Sequence, residues 1–201
     1  MASYKAPEGH GPAPNMPPSV VHAATLPPKI TDTHVFFFGY EGEDPHVCFQ
    51  QWYPSDFTSQ DDGNHFPTAE HYMMYHKSLL MSDRTTADKI LASSTPAEAK
   101  ALGREVGSKE GKFNQTIWDE NCDQVVEEGN WLKFSQSERL GKVLVGTEGR
   151  EIIEASPNDK IWGIGWNSEE AMDHVDEWGE NKLGKALMRV RERLKRERSG
   201  R

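Results

Sequence analysis

A chain of 201 residues is long enough for one domain with a well-buried core, so one domain with a tail is the simplest arrangement. Its formal net charge of −9 argues against a surface that binds nucleic acid or anionic membrane throughout, because such binding requires clustered Lys and Arg. The charge is uneven, since residues 182–201 contain nine Lys or Arg and two Glu.

The sequence contains no stretch of apolar residues long enough to cross a membrane, and it does not begin with the pattern of a secretory signal. We therefore expect an intracellular protein, cytoplasmic or nuclear, with no membrane partner. Cys48 and Cys122 are isolated, which predicts two buried free thiols. His71 and His76 lie on different faces of a helix, and no HExxH motif or Cys/His cluster occurs, so we predict no metal and no cofactor.

The first predicted segment is a leader that lacks structure. Residues 1–28 hold seven of the twelve prolines and show no apolar periodicity, which is typical of disorder. We therefore expect a Pro-rich leader at residues 1–30 and one folded domain at residues 31–198. HVFFFGY, residues 34–40, predicts a strand that ends at Gly39, and VCFQQWYPSDF, residues 47–57, predicts a strand followed by a loop.

Helical periodicity begins after Thr68, which is the expected N-cap of a helix containing Tyr72 and Tyr75. Thr95-Pro-Ala-Glu forms a capping box that opens a helix ending near Gly103 or Gly107. A longer helix is predicted over residues 115–133, with these apolar residues on one side: Trp118, Cys122, Val125, Val126 and Leu132.

Ser135 and Glu138 match a second capping box, before a helix that Gly149 stops. EIIEA and KIWGIGW, residues 151–155 and 160–166, predict two short strands. The last helix, residues 181–198, buries one side, consisting of Leu183, Leu187, Val190 and Leu194. Its basic side is either a solvated face or a nucleic-acid contact. The predicted class is mainly α, a compact multihelical domain with a few short strands.

The segment SPNDKIWGIGW combines an acid, two large aromatic faces and two glycines. Asp159 lies three residues before Trp162, and Gly163 and Gly165 separate Trp162 from Trp166. The segment is either a core strand with a turn or the wall of a pocket, where the glycines allow a flat ligand to approach the backbone. It is not a dinucleotide fingerprint, because a third glycine and a helix cap are missing.

Glu70 and Lys77 share a face of the predicted helix, two turns or about 10.5 Å apart, which suits flanking a bound group. The simpler explanation for Glu70 is stabilisation of a first-turn carboxylate by the helix dipole. Trp118 fits a core position, and Lys133, between Trp131 and Phe134, fits a lysine whose stem packs on apolar surface while its ammonium reaches water. The functional alternative for Lys133 is a phosphate or sugar contact.

Six motifs in this order resemble the NADAR family, also called YbiA-like, whose name refers to NAD and ADP-ribose. The motifs are FFFGY, WYPSDF, FPTAEHYMMYHK, WLKFSQSERLGKVLVGT, EASPNDKIWGIGW and NKLGKALMRVR. They cover about residues 34–195. A structural protein with an aromatic core would explain any one of these motifs, but not all six in register.

The resemblance implies a compact, mostly helical fold and hydrolysis of N-glycosidic bonds. Members of the family cleave a bond between ribose and nitrogen, either in early phosphorylated riboflavin intermediates or between ADP-ribose and the guanine amino group. By motif position, the implied catalytic residues are Glu70 and Asp159. We assign a second group of residues to substrate binding: Trp118, Trp162, Gly163, Lys77, Lys133, Phe57 and Asn181.

The chemistry gives these residues roles. Cleavage of a ribosyl C–N bond develops positive charge on the sugar, while the leaving nitrogen requires a proton and the attacking water requires a base. We expect Glu70 to be the acid/base and Asp159 to orient the ribose or stabilise its charge. The tryptophans would stack on flat groups. An alternative route forms a Schiff base with Lys77 or Lys133.

The sequence leaves three functions open. A stand-alone chain without a second catalytic domain favours ADP-ribosylated guanine, in nucleic acid or nucleotides, as the substrate of a monomeric enzyme. The first alternative is an N-glycosidase of riboflavin-pathway intermediates. The second is a reader that binds ADP-ribose without turnover, which would not need both Glu70 and Asp159.

Overall fold

The structure is a computed structural model that describes residues 26–107 and 113–200. Within these residues the helices are α1 (Ala69–Leu80), α2 (Arg84–Leu91), α3 (Pro96–Glu105), α4 (Gln115–Ser135), α5 (Glu138–Gly146) and α6 (Lys182–Ser199). Two 3-10 helices cover Pro45–Phe49 and Ala171–Glu177. The strands are β1 (Lys29–Ile30), β2 (His34–Phe37), β3 (Phe57–Thr58), β4 (His65–Phe66) and β5 (Glu151–Glu154). The predicted class, mainly α with a few short strands, is confirmed.

Local capping explains where the predicted helices begin. The Thr68 hydroxyl accepts a hydrogen bond from the backbone N–H of His71, which starts α1. Thr95 and Glu98 form a reciprocal capping box at the start of α3. Both starting points were predicted, because capping depends on residues within one turn of each other.

The predicted capping box before α5 was wrong in its first residue. Ser135 is the last residue of α4, and the N-cap of α5 is Ser137. The Ser137 hydroxyl accepts a hydrogen bond from the Leu140 N–H. Because α4 extends beyond the predicted end at residue 133, Ser135 keeps a helical backbone and is not available as a cap.

Three further sequence predictions differ from the structure. Residues 45–49 form a 3-10 helix instead of a strand, with Pro45 at its start and the Asp44 side chain capping the His46 N–H. KIWGIGW forms no strand, because its backbone bonds to residues 179–183. Helix α2 was not predicted. It buries only Ala87 and Ile90, so its apolar periodicity is too weak to indicate a helix.

A three-stranded sheet in the order β1-β2-β5 forms the centre of the fold. β1 pairs antiparallel with β2, and β2 pairs parallel with β5, so that Val35 lies opposite Ile152 and Phe37 opposite Glu154. Side chains along a strand alternate between its two faces. Ile152 and Glu154 therefore point to one face of the sheet, and Ile153 points to the other.

The two faces of the sheet pack against separate apolar clusters. The main core covers one face, which contributes Val35, Phe37 and Ile152, and includes residues of α1, α4, α5 and α6. The other face carries a small cluster that consists of Phe36, Ile153, Ala155, Ile164 and Ala171. Glu154 thus points from the end of β5 toward the side where α1 and α4 pack.

The last helix is anchored as predicted, and its basic side is largely occupied. Leu183, Leu187, Val190 and Leu194 are buried. Arg189 pairs with Glu127 of α4, and Arg193 pairs with Glu128 at 3.2 Å while its guanidinium lies 3.7 Å from the Trp131 ring centroid. Because acidic residues of α4 neutralise these arginines, the helix is better explained as part of the fold than as a nucleic-acid contact.

The predicted leader falls mostly on residues 1–25, outside the described part of the chain. Its end at residue 30 does not coincide with the start of the fold, because Lys29–Ile30 form β1. The Lys29 ammonium also donates to the Ser168 carbonyl at 3.1 Å. Among residues 26–107 and 113–200, no helix combines the length and apolar composition that a membrane crossing requires.

We expect Leu187→Ala to lower the free energy of unfolding by about 2–5 kcal/mol, because it leaves a cavity where α6 packs against the core. Urea denaturation measures this loss. Lys185→Ala on the exposed side of the same helix serves as the control and should change stability by less than about 0.5 kcal/mol. Equal, small effects of both substitutions would show that α6 is not anchored through Leu187.

Candidate active site

Glu70 is a buried carboxylate in the first turn of α1, with 4% of its surface exposed. Its backbone N–H donates to the Gln51 carbonyl at 3.1 Å, and the Trp52 indole N–H donates to its carboxylate. Burial raises the pKa of Glu70, and the charges of Lys100 and Lys77 oppose that rise. A helix dipole alone does not require such burial, so these surroundings favour a functional carboxyl group.

Glu154, the last residue of β5, is a second buried carboxyl group, with 7% of its surface exposed. Its Oε1 accepts a hydrogen bond from Gln50 Nε2 at 2.9 Å, and its backbone N–H donates to Asn181 Oδ1 at 3.1 Å. Burial raises the pKa of Glu154 to about 7, and the negative charges of Asp159 and Glu70 act in the same direction. This group can gain or lose a proton near neutral pH.

Glu154 was not among the predicted site residues, although the sequence contains two indications of it. In the strand EIIE, the alternation of faces places Glu154 on the same side as the core residue Ile152. An acidic residue at an inward position of a strand is unusual, because burial of an unpaired carboxylate costs several kcal/mol. Its position two residues before the SPND motif was the second indication.

The segment from Gln50 to Trp52 connects these carboxyl groups to α4. The Gln50 carbonyl accepts a hydrogen bond from Lys133 Nζ at 2.8 Å, and Gln51 Oε1 accepts one from Asn130 Nδ2 at 2.9 Å. Together with the bonds to Glu70 and Glu154, three consecutive residues contact α1, α4 and β5. This segment follows the 3-10 helix, and its position was not predictable from local sequence.

Asp159 holds the loop that follows β5. Its Oδ1 accepts hydrogen bonds from the backbone N–H groups of Ile161 and Trp162, both at 2.8 Å. This turn brings the Asp159 carboxylate close enough to raise the pKa of Glu154. Trp162 is half-buried and packs on the main core. The structure thus brings together Glu70, Asp159 and the missed Glu154.

KIWGIGW is an irregular segment because its backbone bonds to the start of α6. Consecutive carbonyls of residues 160–164 accept hydrogen bonds from N–H groups of residues 179–183. A β-ladder requires the bonds to alternate, so this pattern cannot form a strand. The segment also uses the N–H groups of Lys182 and Leu183 at the N-terminus of α6.

Gly163 serves the packing of the protein itself. A Cβ atom at this position would lie 2.7 Å from the Glu154 carbonyl oxygen and 3.1 Å from the Asp159 carbonyl oxygen. The Ile164 N–H also donates to the Glu154 carbonyl at 3.0 Å. The glycine therefore lets the loop approach β5 closely, and the expected approach of a ligand to this backbone is not needed to explain it.

Two lysines near Glu70 lie beside tryptophan rings. Lys77 donates to the Gly103 carbonyl at 2.8 Å, and its ammonium lies 5.6 Å from the Trp118 ring centroid. Lys100 on α3 lies 5.7 Å from the Trp52 ring centroid. Burial lowers the pKa of Lys77, and the Glu70 charge opposes this shift. Both tryptophans are half-buried, so each keeps surface that a flat group can contact.

Lys133 is completely buried on α4, with 1% of its surface exposed. Its ammonium donates to the Gln50 carbonyl and lies 5.2 Å from the Phe134 ring centroid. Burial lowers the pKa of Lys133 to about 8. The ammonium thus supports the Gln50 segment, and the expected exposure of its charged end to water is wrong.

Two residues assigned to substrate binding, Phe57 and Asn181, make contacts within the protein itself. Phe57 is buried against Phe66 and Tyr72, with ring centroids 5.8 Å and 6.0 Å apart. Asn181 uses both ends of its side-chain amide, because Oδ1 accepts from the Glu154 N–H and Nδ2 donates to the Ile152 carbonyl at 2.9 Å. Asn181 therefore positions the end of β5, and Phe57 belongs to the core.

Cys48 and Cys122 are buried free thiols, as predicted. In the part of the chain that the structure describes, no group of three or more His, Cys, Asp or Glu side chains is arranged to hold a metal ion.

Comparison with known proteins gives three consistent results. A family model described as the NADAR domain matches residues 36–195. The chain is 44% identical over 168 residues to "N-glycosidase R617" of Acanthamoeba polyphaga mimivirus, which covers 81% of this chain and 96% of the relative. It is similar to the NMR structure of the E. coli protein YbiA, with a TM-score of 0.68, 27% identity, and coverage of 89% of this chain and 95% of that one.

A plant relative is longer than this chain. "Riboflavin biosynthesis protein PYRR, chloroplastic" of Zea mays is 29% identical over 185 residues, which cover 88% of this chain and 28% of the relative. The similarity therefore concerns one part of that protein.

The raised pKa of Glu154 predicts that the stability of the protein depends on pH. Its pKa is 4.5 when solvated and about 7 in the folded protein, so the unfolded chain ionises first as the pH rises. The stabilisation is complete below pH 4.5 and is lost as the pH rises to about 7, by about 3 kcal/mol in the free energy of unfolding. Urea denaturation across this range should show a smaller decline in Glu154→Gln, which cannot ionise at this position, than in the wild type; the remaining decline belongs to Glu70, whose raised pKa acts in the same direction.

Glu151→Gln, on the exposed end of the same strand, is the matched control and should retain the wild-type decline. Parallel pH profiles for the wild type and Glu154→Gln would contradict the raised pKa.

Proposed function

The chain belongs to the NADAR domain family, and from this membership we propose that it hydrolyses an N-glycosidic bond, removing ADP-ribose from the guanine amino group in nucleic acid or nucleotides. The observation that carries the proposal is the buried pair Glu70 and Glu154 beside Asp159, because several carboxyl groups with different surroundings suit acid/base hydrolysis. The name N-glycosidase, borne by the mimivirus relative, supports the same reaction class.

The reaction needs two carboxyl functions at the scissile bond. When the bond between ribose C1′ and nitrogen breaks, positive charge develops on the sugar, and a nearby carboxylate stabilises it. An acid/base residue transfers a proton to the leaving nitrogen or from the attacking water. We assign the acid/base function to Glu70, and we assign the stabilisation and orientation of the ribose to Asp159.

The charged and aromatic groups around Glu70 support a substrate with a diphosphate and two flat rings. Lys77 and Lys100 supply positive charge for phosphates, and each lies beside a half-buried tryptophan. Trp118 and Trp52 can therefore stack on two separate ring systems, as the adenine and guanine of an ADP-ribosylated guanine provide. Trp162 adds a third aromatic face near Asp159.

A second candidate substrate is a phosphorylated intermediate of riboflavin synthesis. The name of the maize relative favours it. Such an intermediate offers one heterocycle and one phosphate group, so it would use only one of the two lysine–tryptophan pairs. Direct competition between the two substrates distinguishes the candidates.

We expect Glu70→Gln to reduce release of ADP-ribose from a guanine-modified oligonucleotide by about 10²–10⁴-fold, because Gln keeps the size of Glu but cannot transfer a proton. Mass spectrometry of released products measures the rate, with riboflavin-pathway intermediates offered in parallel. Ligand binding and the melting temperature should change little. Glu120→Gln, at an exposed position of α4, is the control and should be fully active.

Two results would contradict this assignment. Near wild-type turnover by Glu70→Gln, together with an inactive Lys77→Ala, would replace the carboxylate mechanism with the Schiff-base route. Binding of ADP-ribose by the wild type without release from either substrate class would leave a reader in place of an enzyme.

A further inference from the structure

We propose that Glu154 is the catalytic acid of the site, a neutral carboxylic acid that donates its proton to the leaving nitrogen while Glu70 acts as the base. This inference rests on the proposed N-glycosidase function and adds a division of labour between the two buried carboxyl groups. Its basis is the arrangement of hydrogen bonds and charges around Glu154.

The Gln50 amide fixes which oxygen of Glu154 is free to carry a proton. Gln50 Oε1 accepts a hydrogen bond from the Gln51 N–H at 3.1 Å, so its Nε2 must face Glu154. Nε2 can only donate, and Glu154 Oε1 therefore acts as the acceptor. Among the described residues, the buried Oε2 has no hydrogen-bond partner. A proton on Oε2 does not interfere with any of these contacts.

The charges near Glu154 favour its neutral form. Asp159 in the following loop and Glu70 at the start of α1 are negative, while Lys100 on α3 is positive. The Lys133 ammonium, on α4, is directed at the Gln50 carbonyl. Burial raises the pKa of Glu154 to about 7, so a large fraction of the group is protonated at neutral pH.

Glu70 lies near more positive charge than Glu154 does. The Trp52 indole N–H donates to its carboxylate, and Lys100 and Lys77 are positive. Burial raises the pKa of Glu70, and these three contributions oppose that rise without cancelling it. Both carboxyl groups accept a hydrogen bond from an N–H donor and lie near Lys100, but Glu70 also lies near a second lysine and Glu154 near two anions. This difference divides the two groups into a base and an acid.

The proposed step balances in protons and electrons. Glu154 transfers its Oε2 proton to the leaving nitrogen as the C1′–N bond breaks. The electron pair of that bond moves to the nitrogen. The Glu70 carboxylate removes a proton from water, whose oxygen bonds to C1′. The products are the free amino group and the ribose hydroxyl, and solvent returns a proton to Glu154 and removes one from Glu70.

The test is the pH dependence of kcat/KM in Glu154→Gln, with the ADP-ribosylated guanine oligonucleotide as substrate. In the wild type, kcat/KM should fall as the pH rises through about 7, because the acid loses its proton. Glu154→Gln should reduce kcat by about 10²–10⁴-fold, keep the KM and abolish this basic limb. Glu151→Gln, exposed on the same strand, should keep the wild-type rate and profile.

Gln50→Leu provides a second and independent test. It removes the hydrogen bond that favours the ionised form of Glu154, so the basic limb should move to higher pH. A structural role alone would lower activity without moving the limb. This variant decides the matter even if Glu154→Gln fails to fold, as judged by circular dichroism.

The outcomes separate the two proposals. If the wild type releases no product from any N-ribosyl substrate, the proposed function fails. If the wild type is active and the basic limb stays unchanged in both Glu154→Gln and Gln50→Leu, the assignment of Glu154 as the acid is overturned while the N-glycosidase function stands.

Discussion

The burial of three ionisable side chains next to one short segment is the constraint on which the site depends. Glu70, Glu154 and Lys133 are almost completely removed from water, and an unpaired buried charge costs several kcal/mol. The segment from Gln50 to Trp52 gives each of them a hydrogen-bond partner. The Trp52 indole N–H donates to Glu70, and the Gln50 side-chain amide donates to Glu154, while the Gln50 carbonyl accepts from Lys133. Since these groups belong to two residues of one short segment, the three side chains are held at fixed positions relative to one another.

The end of the chain supports the same site through the backbone. Asn181 has a left-handed backbone conformation, which asparagine tolerates better than most residues, and its side chain bonds to both Ile152 and Glu154. The residues around it bond to the loop that carries Asp159. The burial of Leu183 and Leu187 thus fixes the start of α6, and through it the end of β5. The apolar packing of α6 thus fixes the positions of the polar groups at the end of β5.

The sequence predicted the helices well because their signals are local. The caps at Thr68 and Thr95 depend on residues three positions away, and the apolar period of α6 extends over four turns. Glu70 and Asp159 were assigned as catalytic residues from the resemblance to the family motifs. The inward position of Glu154 in β5 was a local signal, but its partner Gln50 is 104 residues distant and could not be predicted. KIWGIGW was misassigned because its carbonyls bond to residues 179–183. Contacts of such separation leave no trace in periodicity or spacing.

The different charges around Glu70 and Glu154 bear on the cost of burying two carboxyl groups. A buried, partly satisfied carboxyl group is a poor contributor to stability, and hydrophobic substitutes are often neutral or stabilising. The fold gives each carboxyl group an N–H donor and places Lys100 near both, but it places a second lysine near Glu70 and two anions near Glu154. These neighbouring charges act in opposite directions on the proton affinities of two chemically similar groups. Acid/base chemistry uses such a difference, so the proposed catalytic roles would account for the cost in stability.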